Sequence, residues 1–299
     1  MSTTDKSGMS KKPTPSIGPL TAQDIASFVD KGDLALELLT YRAFREHGWW
    51  ADHGHFYNDP IQDKPRQFDV QGGKDLRKNP ATPMLPTTSI RIAAECKNVD
   101  PNRPVIVSRV PRSDSDSYHH LLRRFVEPSG QPHVTVIKSS PHDAKPYHVN
   151  TPVGKSIVQY SGTNDKPPED PYAKWSQALG SCASLVIKTH AEAFMNRTAP
   201  DLCFIMPALV LADGALWTVD YDENGVGGEP TPANETTFFV GRDYGLSDFA
   251  VAGSPKYWVS HLHIYTKSGF VKALQTLNNP QHSTEFDRYF RFGMGLESG

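Results

Sequence analysis

With 299 residues, 37% apolar and 10% aromatic, the chain can bury a substantial core as one large domain or as one domain with insertions. A net charge of −2 gives no overall basic field, so any nucleic-acid contact has to come from a local patch. No run of eighteen apolar residues and no N-terminal apolar stretch appears, which points away from a membrane protein and makes the cytoplasm the expected location. Cys96, Cys182 and Cys203 are odd in number, far apart and each set in an apolar run, so reduced thiols are expected rather than disulfides or zinc ligands.

Residues 1–19, rich in Ser, Thr, Lys and Pro, cannot bury enough to order themselves and read as a flexible tail before a single domain over 20–299. Thr21 with Asp24 three residues on predicts a capped short helix to about Val29. Lys31-Gly32 interrupts it, and Asp33 is expected to cap a second helix that ends near Gly48. In that helix Glu37 sits within Leu34-Ala35-Leu36-Glu37-Leu38-Leu39, apolar on nearly every side, where a carboxylate needs a cation, a donor or solvent. Trp49 to Tyr57 reads as a first strand on which His53 and His55 alternate, as surface decoration or as ligands. Gln67-Phe68-Asp69-Val70 alternates as a short neighbouring strand and sets an acid between two apolar residues. The Gly- and Pro-containing interval from Gly72 to Thr88 reads as a loop.

The run Ile90 to Asn98 is an apolar strand that ends in two charged residues separated by one. Side chains alternate along a strand, so Glu95 and Lys97 leave the same face. An ordinary edge-strand ion pair is one explanation. Metal-assisted phosphodiester cleavage is the other, since it needs a carboxylate to hold a divalent cation and an amine to orient or deprotonate water. With Asp69 and Glu37, the sequence offers three acids and a lysine for that chemistry.

Residues 101–150 hold seven Lys or Arg against four Asp or Glu, and five of the twelve histidines, with Tyr118, Phe125 and Tyr147 among them. This reads as a basic, aromatic-dotted insertion at about 100–170. It is either a nucleic-acid surface, on which Arg109, Arg112, Arg123 and Arg124 would track phosphates, or a solvated face. Val153-Gly154-Lys155-Ser156 lacks the glycine five residues upstream that a phosphate-cradling loop needs, which excludes a Walker nucleotide site. Asp165 to Pro171 reads as a hinge, and Tyr172 to about Asn196 has helical spacing (Trp175, Leu179, Cys182, Val186) with Gln177 in its first turns. An apolar strand broken at Pro207 follows over Leu202–Leu211, then a hairpin turn at Ala212-Asp213-Gly214 and a strand over Leu216–Tyr221. Residues 222–235 read as a loop, Tyr257–Tyr265 as a strand with a polar face at His261 and His263, Ser268–Leu277 as a helix, and the chain from Gly293 as a loose tail.

A helix carrying Glu37, then Asp69, then Glu95-x-Lys97 resembles the PD-(D/E)xK nuclease superfamily, by motif over about residues 33–99 and by element order to about 220. Phe68 stands where the superfamily's name has Pro, and Asp59 and Asp63 compete with Asp69 for the first acid; the apolar flanks favour Asp69. The resemblance implies the restriction-endonuclease-like α/β fold, a mixed β-sheet flanked by helices, here with the basic insertion and a C-terminal extension. It implies that Asp69 and Glu95, with Glu37 as an accessory ligand, hold Mg²⁺ or Mn²⁺. Lys97 would stand beside the attacking water with its pKa drawn down by burial and the metal, and Gln177 would be a polar helix residue of the kind that joins some members' sites. The implied activity is hydrolysis of phosphodiester bonds by an endonuclease of restriction, repair or defence type, with DNA favoured over RNA and a homodimer suited to cutting two strands. The alternative is a catalytically inactive nucleic-acid-binding protein that keeps the fold. A third reading is an unrelated α/β protein in which Glu95 and Lys97 form a plain strand ion pair.

Overall fold

The computed structural model describes residues 20–59, 63–76, 87–116, 119–126, 132–139, 150–161, 172–195, 201–244 and 257–279. The expected tails at 1–19 and from Gly293, and the hinge at 165–171, lie outside the described residues. The chain divides into two compact units, residues 1–32 and 33–299. In the first, helix α1 (Ala22–Val29) is opened by a reciprocal cap: Thr21 Oγ1 accepts from the Asp24 N–H at 3.1 Å, and Asp24 Oδ2 accepts from the Thr21 N–H at 2.9 Å.

The second unit begins with α2 (Leu34–Glu46), β1 (Trp50–His53), β2 (Phe56–Asp59), β3 (Lys64–Gln67), β4 (Val70–Asp75) and β5 (Thr87–Lys97). There follow β6 (Val105–Pro111), a 3₁₀ turn at Asp114–Asp116, β7 (His119–Val126), β8 (Pro132–Ser139), β9 (Pro152–Gln159) and α3 (Tyr172–Met195). The chain continues through β10 (Asp201–Leu211), β11 (Leu216–Asp220), β12 (Thr231–Pro232), β13 (Glu235–Tyr244), β14 (Tyr257–Thr266) and α4 (Lys267–Asn278). Among the described residues, twelve strands form one mixed sheet in the order β1-β4-β5-β10-β14-β13-β9-β6-β11-β12, with β7 pairing β10 and β8. The expected α/β class with a mixed sheet is therefore present. None of the described helices is long and apolar enough to cross a membrane.

Period-two alternation on β5 and β10 sets the layers. Ile90, Ile92, Ala94 and Cys96, with Phe204, Met206, Ala208 and Val210, pack against Phe44 of α2 and Phe270 and Leu274 of α4. Ala93, Cys203 and Ile205 point the other way, onto Leu179, Cys182 and Val186 of α3. Glu95 and Lys97 continue this second row, so they emerge on the α3 side. Burying the large side chains of this core contributes about 1.5–3 kcal/mol each. Close packing of α2 depends on Gly72, where a Cβ would stand 2.7 Å from the Phe44 ring.

Several expectations change. Gln67-Phe68-Asp69-Val70 is not one strand, since Gln67 ends β3 and Val70 begins β4, and the expected loop from Gly72 begins inside β4, which pairs with β5 as far as Asp75. Trp49 to Tyr57 is not one strand: Gly54, at φ +72°, ends β1, and β2 turns away to pair with β3 in a separate two-stranded sheet. Pro207 does not break β10, which pairs with β5 from Asp201 to Leu211. On its other side β7 pairs only as far as Cys203 and β14 only from Ala208, so a residue without an N–H falls in a gap of the ladder. The segment expected as an insertion at 100–170 supplies four strands, β6 to β9, to the sheet itself, with Val105, Val107, Val153 and Ile157 buried.

Candidate active site

Strands β4 and β5 run antiparallel with Val70 opposite Ala94. Asp69, one residue before β4, therefore stands opposite Glu95 near the end of β5, and its Oδ2 accepts the Cys96 N–H at 2.7 Å. Lys97 Nζ lies among the acids: 2.8 Å from Glu95 Oε1, 3.3 Å from Asp33 Oδ2 and 3.7 Å from Asp69 Oδ2. Asp33 occupies the N-cap position of α2, where its carbonyl accepts the Glu37 N–H at 3.0 Å. Its carboxylate makes no capping bond; it accepts instead from Lys97 and from the Asn98 N–H at 2.6 Å. Glu37 is held by His53, Oε2 to Nε2 at 2.9 Å.

A second layer closes over Glu95 from α3 and from the β2–β3 hairpin. The Gln177 amide nitrogen donates to Glu95 Oε1 at 2.6 Å, and its oxygen accepts from Arg66 Nη1 at 2.5 Å, an orientation set by the two neighbours. Arg66 Nε lies 2.8 Å from Oδ2 of buried Asp59. Asp59 is thus an ion-pair partner behind the site, and Asp63 is an exposed turn residue at φ 48°. Asp69 is the acid that faces Glu95.

Burial and crowding of charge perturb Glu95, Asp69, Lys97 and Tyr57. Glu95 is pushed up to about 8, first by burial and then by the charge of Asp69, against the pull of Lys97. Asp69 rises to about 6 by burial, opposed by Lys97 and the Cys96 N–H. Burial draws the Lys97 ammonium down, yet Glu95, Asp69 and Asp33 together hold it above the ordinary lysine value. The expected lowering by burial is present, and among the protein's own groups the three carboxylates outweigh it. Tyr57, paired with Arg66 across the hairpin, has its hydroxyl pushed up by burial and by the charges of Asp59 and Glu95. Behind the strand, the Cys96 thiol is buried and hydrogen-bonded to Thr40 Oγ1 at 3.4 Å.

Among the described residues no three His, Cys, Asp or Glu side chains form a ready ion-binding set; the Lys97 ammonium stands between the carboxylates. Asp69 and Glu95 nonetheless fit a hard divalent cation. Mg²⁺ takes one or two carboxylates and completes its octahedron with waters and substrate phosphate oxygens. Both N–H donors on Glu95 engage Oε1, which leaves Oε2 as the oxygen to present to an ion.

Of the expected phosphate-tracking arginines, Arg109 and Arg112 have described side chains, and both are engaged within the protein. Arg109 is forked onto Asp220 across β6 and β11 at 2.7 and 2.9 Å. Arg112 is only 1% exposed and donates to Asp116 O and Thr237 Oγ1, each at 2.7 Å, and to His261 Nε2. It is a structural core residue, not a phosphate contact. Arg112→Met should cost about 2–4 kcal/mol in chemical unfolding, because buried acceptors lose their donor, and should leave DNA affinity in a filter-binding assay unchanged. Arg123 and Arg124 lie on β7, opposite Leu202 and Asp201 of β10, and their side chains fall outside the described residues. His261 and His263, expected as a polar strand face, are buried; His263 is pushed down to about 3 by burial and the Arg112 charge.

Glu95, Lys97, Asp69 and Gln177 are thus brought together, with Glu37 close enough for its charge to act on Asp69. Arg66 and Tyr57 join them without having been singled out from the sequence, and so does Asp33, expected only as a helix cap. Compared with protein families, curated proteins and solved structures, the chain finds no match in any of the three.

Proposed function

We propose that the protein is a metal-dependent nuclease of the PD-(D/E)xK type, with the restriction-endonuclease-like arrangement at its β4–β5 hairpin. The observation that carries this reading is the convergence of Asp69, Glu95 and Lys97, the ammonium within 3.7 Å of both carboxylates. Asp69 and Glu95 Oε2 would hold Mg²⁺ or Mn²⁺, with Glu37, tied to His53, as an accessory acid. When bound, the ion supplies charge stabilisation for the phosphoryl transition state and lowers the pKa of its water. Lys97, with its proton held by the surrounding acids, donates to the attacking water or to a non-bridging phosphate oxygen, a positioning and electrostatic role rather than that of a general base. Gln177 keeps Glu95 turned so that the two tasks fall on different oxygens. DNA is the substrate class we favour over RNA, and cutting a duplex calls for two such sites, as in a homodimer.

A catalytically inactive nucleic-acid-binding protein is the second reading. It is favoured by the way Lys97 fills the carboxylate cluster while no three-ligand set stands ready among the described residues. Incubation with supercoiled plasmid and with linear single-stranded DNA in Mg²⁺, Mn²⁺ or EDTA separates the two. The expected result is metal-dependent cleavage, lost in EDTA and reduced roughly 10²-fold or more in Asp69→Ala and Lys97→Ala. Retained gel-shift binding with no cleavage of DNA or RNA in any metal would establish the inactive binder.

A further inference from the structure

We infer that Arg66 is a positioning residue that acts through Gln177 on Glu95, so that the β2–β3 hairpin sets the affinity of the site for its metal ion. This rests on the nuclease reading. The contacts form an unbroken chain: Asp59 Oδ2 to Arg66 Nε at 2.8 Å, Arg66 Nη1 to the Gln177 oxygen at 2.5 Å, and the Gln177 nitrogen to Glu95 Oε1 at 2.6 Å.

The chain has a direction that follows from chemistry alone. A guanidinium carries only donors, so it must face the amide oxygen of Gln177. The NH₂ end then has to point at Glu95. With Lys97 Nζ on the same Oε1 at 2.8 Å, two N–H donors saturate one carboxylate oxygen and aim the other outward. Remove Arg66 and the amide loses the partner that orients it, leaving Lys97 as the remaining donor that turns Glu95.

The far end of the chain is fixed as firmly. Asp59 is 2% exposed and lies against Gly180 of α3, where an added Cβ would stand 3.1 Å from its carboxylate. Gly180 is three residues after Gln177, on the same side of the helix, so the helix backbone meets Asp59 at a position that carries no side chain. The hairpin is also tied to the strand end before it, Gln67 Nε2 donating to Gly54 O at 2.7 Å and the Phe68 N–H to His55 O at 3.1 Å. Gln67, its last residue, precedes Asp69 by two. One small ribbon outside the main sheet therefore addresses both proposed metal carboxylates, Asp69 through the backbone and Glu95 through Arg66 and Gln177.

The test is Mn²⁺ binding to the full-length protein, followed by electron paramagnetic resonance, together with cleavage rates over a range of Mg²⁺ concentrations. Arg66→Met and Gln177→Leu should each weaken Mn²⁺ binding by roughly 10–100-fold, the usual effect of losing an outer-shell partner. The double variant should be no worse than the single ones, because both changes cut the same chain. High Mg²⁺ should recover much of the cleavage rate, a split that general destabilisation does not produce. Arg66→Lys, which can keep the pairing with Asp59 but not the fork to Gln177, should fold and still bind Mn²⁺ weakly, which covers the case of an unfolded Arg66→Met. Wild-type affinity in Arg66→Lys and Gln177→Leu, or fully additive losses in the double variant, would overturn the inference and leave the nuclease reading standing. A wild-type protein that binds no Mn²⁺ and cuts nothing would overturn both.

Discussion

Glu95→Gln is expected to abolish metal-dependent cleavage and, in the same protein, to raise thermal stability at neutral to mildly basic pH. The carboxyl of Glu95 is held at about 8 against an ordinary value of 4.5, so the folded state binds its proton more tightly than the unfolded chain does. Below pH 4.5 both states are protonated and the perturbation costs nothing. Between 4.5 and 8 the unfolded chain ionises first, and folding stability falls as pH rises. Above 8 the loss is complete. A glutamine keeps the shape, still accepts from Lys97 and Gln177, and carries no charge to desolvate. A gain of about 1–3 kcal/mol near pH 8 follows, a discounted share of the ~1.4 kcal/mol per pH unit that linkage allows for so coupled a group. For a protein of this size that is a rise of several degrees in Tm. The gain should vanish near pH 4.5. A variant that melts at or below the wild-type temperature at pH 8 would show that Glu95 is stabilised, not strained, by its surroundings.

Lys97→Met should give the opposite stability change with the same loss of activity. It removes the cation that sits within 4 Å of Asp33, Asp69 and Glu95, and breaking a buried ion pair from one side costs about 3–5 kcal/mol. We expect about 2–4 kcal/mol here, since Asp33 is partly exposed and the acids can take up protons. The ammonium is held above its ordinary value, so its own contribution is constant up to pH 9 and is lost only above its unfolded pKa. The pH dependence comes from the acids left behind, which repel one another more as they ionise. Urea unfolding should therefore show a larger deficit at pH 9 than at pH 6. Cleavage should fall roughly 10²–10⁴-fold, the range for removing a group that acts on proton transfer or charge in the transition state. Equal deficits at the two pH values would mean that Lys97 contributes packing rather than charge.

The parts of this site that lie on one strand were readable, because period two places Glu95 and Lys97 on one face whatever surrounds them. Asp69 was readable from its apolar flanks, since an acid between Phe68 and Val70 needs a reason to be there. Asp33 was legible only as a helix cap. Local pattern places it correctly at the start of α2 but says nothing of Lys97 and Asn98, 64 and 65 residues away, which claim its carboxylate. Arg66 and Tyr57 sit on strands of four residues with Pro65 between them in sequence, too short to show a period, and their role depends on which helix covers them. The placement of Arg112 was hidden for a related reason. Charge counts do not say which arginines are spent inside, and Arg112 is held in a buried network with Thr237 and His261 from β13 and β14. The strand β13 went unassigned because its residues follow no clean alternation, Thr236, Thr237 and Phe238 all being buried.

The helices on opposite faces of the sheet meet at the end of β5, α2 through Asp33 on Lys97 and the Asn98 amide, α3 through Gln177 on Glu95. Those few bonds clip three layers together at one point. Fraying at the start of α2 or through the first two turns of α3 therefore dismantles the site while the apolar layers remain packed, so competence and global folding are governed by different openings of the molecule. A cation that draws the two carboxylates together acts as a rivet at that point. Its effect would be felt as slower amide exchange at the starts of both helices, on two faces that share no direct contact with the ion.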